Sequence, residues 1–426
     1  MKRSTSPWTQ AIRLTVASLV IGPLCISSAI ASPGRSTERL RRNVWNEWRA
    51  QYIANDTLPW TTLDSLTAAK TFVWHLPEAL EAEADMSFYS GVKGDRPDSG
   101  WPLFLYLHGS GPRNLEWATG LRICSLFDDA PALYFIPRIP REDHYRWYPQ
   151  SKQWAWEHLL RRAFASGDVD PARIYLFGIS EGGYGGQRLA SFYADYLAGA
   201  GPMAGGEPLR NAPPENLSNT AFSLVTGEND YMFFRYGLTE ETGKALDSLQ
   251  TLYPNEYVHR VMLEEGKGHA IDYRVTTPWL KQHVRHAQPH SFRWENYEMD
   301  GVKRNAFYNL EVLEEQAAGR TAYDFRVESN HIELKVDTVC YTTTFTDPRW
   351  GIEMVFHREL SPASHGSIRI YLSEELINLD RPVTVCVNGK EVAHQRLHVH
   401  REAMWKSLDL FGDPLRIFPT YIDVTW

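Results

Sequence analysis

Leu40, Val44, Trp48 and Tyr52 recur on one face of a 3.6-residue period, so residues 37–54 predict an amphipathic helix. Beyond it the pattern shortens. Residues 71–75 and 85–90 read as strands, and residues 101–107 (WPLFLYL) form a continuous apolar run that stops before Gly109. A strand buried on both faces has no polar side to show, so such a run predicts the interior of a parallel sheet. Residues 132–136 repeat it. A helix over 151–164 precedes a strand over 173–177 (RIYLF), and a helix over 182–197 precedes strand-like runs at 198–203, 220–226 and 257–263. Eight such runs, with helices between the later ones, predict a mostly parallel α/β sheet with helices on both faces.

The pattern changes past residue 291. Short β runs follow at 327–336, 342–346, 352–356, 367–372 and 382–392. Asn388-Gly389 interrupts the last of them, and both residues tolerate the positive φ that a two-residue hairpin turn requires. The expectation is a smaller all-β, sandwich-like C-terminal domain. A chain of 426 residues is long for a single compact core, which also favours two domains. The predicted organisation is a signal peptide over 1–31, a helical lead-in over 32–70, a catalytic domain over 71–290 and a β module over 291–426.

The signal-peptide reading rests on Lys2, Arg3 and Arg13, the apolar run from Leu14 to about Ile30, and the small-x-small end Ala29-Ile30-Ala31. Pro23 and Ser27-Ser28 interrupt the run, which argues against an uncleaved spanning helix of ~20 apolar residues. A secreted or periplasmic protein is expected, with no stable membrane insertion after cleavage. Cleavage would leave Cys124, Cys340 and Cys386, of which Cys340 and Cys386 are the expected disulfide pair because both lie in the C-terminal part. No CxxC or Cys/His spacing suggests a structural zinc. A net charge of −8 with scattered basic residues argues against a nucleic-acid partner.

Candidate chemistry centres on Gly178-Ile179-Ser180-Glu181-Gly182, between the RIYLF strand and the helix that opens GGYGGQRLASF. A serine at a sharp strand-to-helix turn needs small neighbours, and the helix then directs its positive end at developing negative charge. His108-Gly109-Ser110-Gly111 follows the WPLFLYL strand, where a loop can supply one of two backbone N–H donors to an oxyanion. Those donors are expected on Ser110 and Glu181. Asp230, in Gly227-Glu228-Asn229-Asp230, follows another strand and is the candidate acid, with Glu228 as the alternative. His269, in Gly266-Lys267-Gly268-His269, is the candidate base. His108 is its alternative, disfavoured because it precedes the serine. Ser180, Asp230 and His269 each lie just beyond a strand's carboxyl end, in the chain order serine, acid, histidine.

HGSG, GISEGG, GENDYMF and GKGHAID together resemble the α/β-hydrolase superfamily, and within it secreted esterases related to polyhydroxybutyrate depolymerases, feruloyl esterases and acetyl xylan esterases. The resemblance covers roughly residues 70–285. It implies two antiparallel strands at the front of the sheet and Ser180 as nucleophile, Asp230 as acid and His269 as base. Ser110 and Glu181 would be the oxyanion donors, with no metal or organic cofactor. The implied activity is carboxylic ester hydrolysis, on a small-molecule or polysaccharide-linked ester. The absence of a Thr-rich linker or an evident polymer-binding domain departs from the polyester depolymerases. Two other readings are a serine peptidase of the same fold and a non-catalytic carbohydrate-binding protein on a hydrolase scaffold. The aromatic stretch 143–148, with Trp154 and Trp156, could line a sugar site or simply support the following helix, and Arg235 and Tyr236 could reach the pocket.

Overall fold

The computed structural model describes residues 33–314 and 319–426; the signal peptide expected at 1–31 lies outside the described residues. Helix α1 (Pro33–Asn55) precedes β1 (Lys70–His75), β2 (Asp85–Lys93), β3 (Trp101–Leu107), α2 (Arg113–Leu126), β4 (Ala132–Pro137) and α3 (Gln150–Ser166). Then come β5 (Val169–Ile179), α4 (Glu181–Phe192), β6 (Gly199–Met203), β7 (Ala221–Gly227), α5 (Arg235–Leu252), β8 (His259–Glu264) and α6 (Thr276–Leu280). The strands form one sheet in the order β1-β2-β4-β3-β5-β6-β7-β8. β1 pairs antiparallel with β2 and β2 antiparallel with β4, whereas every pairing from β4 to β8 is parallel.

The two faces of β3 show why its sequence reads as one apolar run. Leu103, Leu105 and Leu107 enter a core with Leu159 and Ala163 of α3 and Leu189 of α4. Phe104 and Tyr106 enter another with Trp117 of α2 and Leu280 of α6. Alternate side chains therefore face opposite helix layers, and both layers exclude water.

The C-terminal part holds β9 (Ser291–Asn296), the short β10 (Glu298–Met299), β11 (Val302–Lys303) and β12 (Ala306–Phe307), and β13 (Leu310–Glu314). Longer strands follow: β14 (Arg320–Glu328), β15 (His331–Thr346), β16 (Glu353–Pro362), β17 (Ser367–Leu372), β18 (Val383–Val387) and β19 (Lys390–Gln395), then α7 (Arg401–Phe411) and β20 (Thr420–Thr425). One sheet runs β12-β13-β17-β20 and another β19-β18-β15-β14-β9, with β16 paired to β15. Ile368, Ile370 and Val424 from the first meet Phe325, Leu334 and Val385 from the second, in a core continuous with that of α3 and α4. Asn388 and Gly389 form the expected hairpin turn, at φ 49° and 77°.

Two expectations are corrected here. Residues 327–336 are not one strand. Ser329, at φ 54°, turns the chain so that Glu328 pairs with His331 across a β14–β15 hairpin. The C-terminal module is built of β-sheets as expected, with one helix added: α7 buries Ala403, Met404, Ser407, Leu408 and Phe411 along one helical face. Met404 and Leu408 pack on Val44 and Trp48, which is what the apolar face of α1 covers. Finally, Cys340 and Cys386 are both free thiols. In the parallel β15–β18 register Cys386 faces Glu333, seven residues from Cys340. At ~3.3 Å per residue that separation is far beyond the ~7 Å Cα limit of a disulfide.

Buried ions join the two parts. Arg416 Nη1 donates to Asp195 Oδ2 at 2.6 Å and its Nε to Asp413 Oδ2 at 2.8 Å. Arg304 reaches the same Asp195 oxygen at 3.0 Å, and Arg285 reaches Asp413 Oδ2 at 2.5 Å. Asp195, Asp413 and Arg416 are fully buried. These arginines hold both carboxyls below the usual range against the opposing effect of burial, the largest influence on each.

Candidate functional site

Ser180 occupies the turn between β5 and α4 at φ 58°, ψ −113°, a conformation costly for a residue with a side chain. The flanking glycines make it possible. A Cβ on Gly178 would lie 2.3 Å from the Gly182 carbonyl oxygen, and one on Gly182 would lie 1.9 Å from the Leu107 oxygen. No side chain fits at either position. The backbone N–H of Ser180 donates to Met203 O at 2.9 Å, tying the turn to β6. A mostly parallel sheet with antiparallel leading strands and a serine elbow into the next helix is a distinctive combination. The fold is of α/β-hydrolase type.

The structure brings the three expected side chains into one line. His269 Nε2 lies 3.0 Å from Ser180 Oγ, and His269 Nδ1 lies 2.6 Å from Asp230 Oδ2. Asp230 is buried, whereas the His269 side chain is 45% exposed and so open to a substrate. With Nδ1–H donated to the carboxylate, Nε2 is left as acceptor for the serine proton. The arrangement can therefore move a proton between Ser180 and His269. Glu228, the alternative acid, instead accepts from Gly266 N at 2.9 Å and props the loop that carries His269.

His108, the alternative base, is fully buried and faces the backbone. Its Nε2 accepts from Ile139 N at 3.1 Å, so the proton sits on Nδ1, which donates to Gly109 O at 2.8 Å. Burial lowers this imidazole to about 4, so it is neutral at ordinary pH. It holds the HGSG loop against the serine: a Cβ on Gly109 would lie 3.3 Å from Ser180 Cβ. Ser110 follows directly. Among the described residues, no backbone carbonyl takes the N–H of Ser110 or of Glu181, the first residue of α4. Both remain available as donors.

Several neighbours carried no motif. Arg235, raised in the sequence only as a residue near the pocket, donates from Nη1 to Asp230 Oδ1 at 2.9 Å and from Nε to Tyr184 Oη at 2.7 Å. Tyr236 packs on the rings of Tyr231 and Phe234 instead of lining the pocket. The aromatic stretch divides between its two readings. Trp147 and Trp156 are buried supports and Trp154 stacks on His158, but Arg146 and Tyr148 reach the pocket. The Glu181 side chain is buried beside Ser180, with Arg146 Nη1 3.1 Å from its Oε2. Burial pushes this carboxyl up to about 7, against the pull of Arg146. No sequence pattern marks such a pairing, because Arg146 comes from the loop before α3 and Glu181 from the start of α4.

Among the described residues, one group could hold a metal ion: His331, Glu333 and Cys386, whose donor atoms lie within 4.8 Å of one another. They sit on β15 and β18, which contribute nothing to the pocket beside Ser180. Among the described residues no helix is long and apolar enough to cross a membrane.

No family model and no curated protein matches the chain. Solved structures similar to part of it include a thermostable esterase, at 21% identity and TM-score 0.41 over 52% of this chain and 64% of that one. The BES protein from Bacillus cereus matches at 16% identity and TM-score 0.38, over 53% and 97% of the two chains. A poly(3-hydroxybutyrate) depolymerase from Bordetella parapertussis matches at 13% identity and TM-score 0.38, over 50% and 87%. The match thus spans less than two thirds of the thermostable esterase. Nothing about activity follows from likenesses at this level.

Proposed function

We propose that the chain is a secreted serine hydrolase that cleaves carboxylic esters, including carbohydrate-linked ones, through an acyl-enzyme on Ser180. The observation that carries this reading is the continuous Asp230–His269–Ser180 chain, at 2.6 and 3.0 Å, ending on a serine at an elbow. His269 takes the proton of Ser180 as Oγ attacks the ester carbonyl, and Asp230 supports the imidazolium that forms. The N–H groups of Ser110 and Glu181 receive the oxyanion of the tetrahedral intermediate. The alcohol leaves with the proton from His269, and water then repeats the sequence to release the acid. Export is supported by the basic and apolar pattern of residues 1–31. A carbohydrate component is supported by the ion pairs and aromatic faces of Arg188, Glu207, Tyr148 and Phe233 in the adjoining pocket.

Hydrolysis of a short-chain aryl ester by wild type and Ser180→Ala tests the reading. Loss of a triad nucleophile costs on the order of 10⁶ in turnover. Activity that vanishes in the variant is expected. Absence of turnover in the wild type, together with no labelling of Ser180 by an active-site phosphonate, would sink it.

A further inference from the structure

A pocket of about 610 Å³ adjoins the Ser180 elbow through Ser110 and Glu181, and part of its lining comes from the C-terminal module. Ser110 and Glu181 line it together with Gly351 and Ile352, from the turn between β15 and β16, and Glu353, the first residue of β16. That turn is built to keep its shape. Asp347 N donates to Ile352 O at 2.8 Å, Gly351 N to Asp347 O at 2.9 Å, and Trp350 N to the buried Asp347 carboxylate at 2.6 Å.

It is also docked on the hydrolase part. The Trp350 ring lies 4.8 Å from that of Phe233, three residues after Asp230. Phe233 and Phe234 both take positive φ, 53° and 57°, so the chain leaves Asp230 through two consecutive strained residues. Such strain persists where surroundings over-determine it, and here it aims Phe233 at the module. Arg235, which holds Asp230, lies with its guanidinium 5.3 Å from the Phe233 ring centroid. On the module side, Arg210 pairs with Glu353, whose Oε1 also accepts from Thr343 Oγ1 at 2.7 Å.

The lining carries three arginines and three glutamates, each paired: Arg146 with Glu181 at 3.1 Å, Arg188 with Glu207 at 2.9 Å, and Arg210 with Glu353. Tyr148 adds an aromatic face, with the Arg188 guanidinium 4.2 Å from its centroid. Pro208, Phe233, Leu238 and Ile352 add apolar surface beside these ions, but a long acyl chain filling the pocket would still strip water from the ions without replacing its hydrogen bonds. Above about pH 7, where Glu181 is ionised, a uronate would meet as many carboxylates as guanidiniums. Hydroxyl groups both donate and accept, so a neutral polyol suits alternating ion pairs, and ring faces suit a sugar ring.

We propose that the 347–352 turn is a specificity wall, and that the pocket it closes binds the neutral sugar unit of an ester substrate. The β module is then part of the substrate site of the hydrolase. This rests on the ester-hydrolase reading above.

The test compares kcat/KM for an acetylated methyl pyranoside with that for an aryl acetate, in wild type, Ile352→Trp, which fills the pocket, and Glu353→Ala, which frees Arg210. Contacts of this kind discriminate substrates by roughly 10–200-fold. The expected result is a fall of at least tenfold in the ratio of the two values, carried by KM, with phosphonate still labelling Ser180 in both variants. Wild type should also favour the neutral pyranoside ester over its uronic acid counterpart. An unchanged ratio in both variants, or a preference for the uronate, would overturn the proposal while leaving the esterase reading intact. No turnover of either ester and no labelling would instead remove the reading on which it rests.

Discussion

Arg235 and His269 hold opposite oxygens of one buried carboxylate: Arg235 Nη1 donates to Asp230 Oδ1 at 2.9 Å, and His269 Nδ1 meets Oδ2 at 2.6 Å. The carboxylate plane is thereby set by a fixed cation on one side, and the imidazole takes its orientation from the other. Arg235→Ala should lower kcat for a small aryl ester by roughly 10–100-fold, the worth of a hydrogen bond between charged groups. KM should move little, and Arg235→Lys should recover part of the loss. Steady-state kinetics check this. A wild-type kcat in Arg235→Ala would show that Asp230 needs no such support.

Glu181 should give the enzyme an alkaline-side dependence. Burial lifts its carboxyl from 4.5 to about 7, against Arg146, so it is neutral below that value and anionic above it. An anion beside the proposed oxyanion site would disfavour the tetrahedral intermediate. Glu181→Gln should therefore gain in kcat/KM relative to wild type between pH 6 and pH 9. Stability follows the same sign. The folded state retains a proton that the unfolded state releases between pH 4.5 and about 7, so rising pH through that window destabilises wild type by on the order of 3 kcal/mol at most. The Tm difference between Glu181→Gln and wild type should widen from pH 5 to pH 8. A pH-independent difference would refute the assignment.

The ions between the two parts predict acid sensitivity of the opposite sign. Asp195 and Asp413 are held below the usual carboxyl range by Arg304, Arg285 and Arg416, despite burial. Their stabilising contribution is present above the unfolded value of ~3.9 and is lost as pH falls through their lower folded values. Asp195→Asn leaves Arg416 and Arg304 partly uncompensated and should cost ~3–5 kcal/mol in urea unfolding at pH 7. A cost below ~1 kcal/mol would show that the network contributes little.

His108 bears on the HGSG loop, which is proposed to carry an oxyanion donor. His108→Ala removes the acceptor of Ile139 N and the donor to Gly109 O. Unpaired buried groups should cost ~1–3 kcal/mol of stability. If the loop drifts, the Ser110 donor is displaced and kcat falls ~10²–10³-fold. Phosphonate labelling of Ser180 should slow in parallel. Unaltered turnover in a folded variant would exclude this supporting role.

The free thiols give a simple chemical check. In the native protein, Cys340 should react readily with a thiol reagent, whereas the buried Cys124 and Cys386 should react only after unfolding. Tm should be indifferent to dithiothreitol. A reductant-sensitive Tm, or a peptide linking residues 340 and 386, would restore the disulfide.

Local pattern made the parallel sheet legible because its central strands, such as β3, β4, β6 and β7, are apolar enough to be buried on both faces, as WPLFLYL is. The serine elbow was legible for a related reason. Gly178 and Gly182 are required because a Cβ there would lie 2.3 and 1.9 Å from backbone oxygens, and the glycines themselves mark the spot. The chain order of Ser180, Asp230 and His269 followed from where strands end.

What tertiary structure decided lies where the partners are distant in sequence. Arg235 acquires its role through the fold around Asp230, and Glu181 its raised carboxyl through burial that no neighbouring residue announces. The cysteine pairing failed because shared membership of a β module does not set register, and register puts Cys386 opposite Glu333. Helix α7 went unread although its apolar face has helical spacing, because short β runs surround it. Its partner, α1, lies more than 300 residues earlier. The wall formed by residues 347–352 has no sequence signal toward Ser180 at all. Its position depends on how two separately patterned regions pack, and packing is a property of the assembled surfaces.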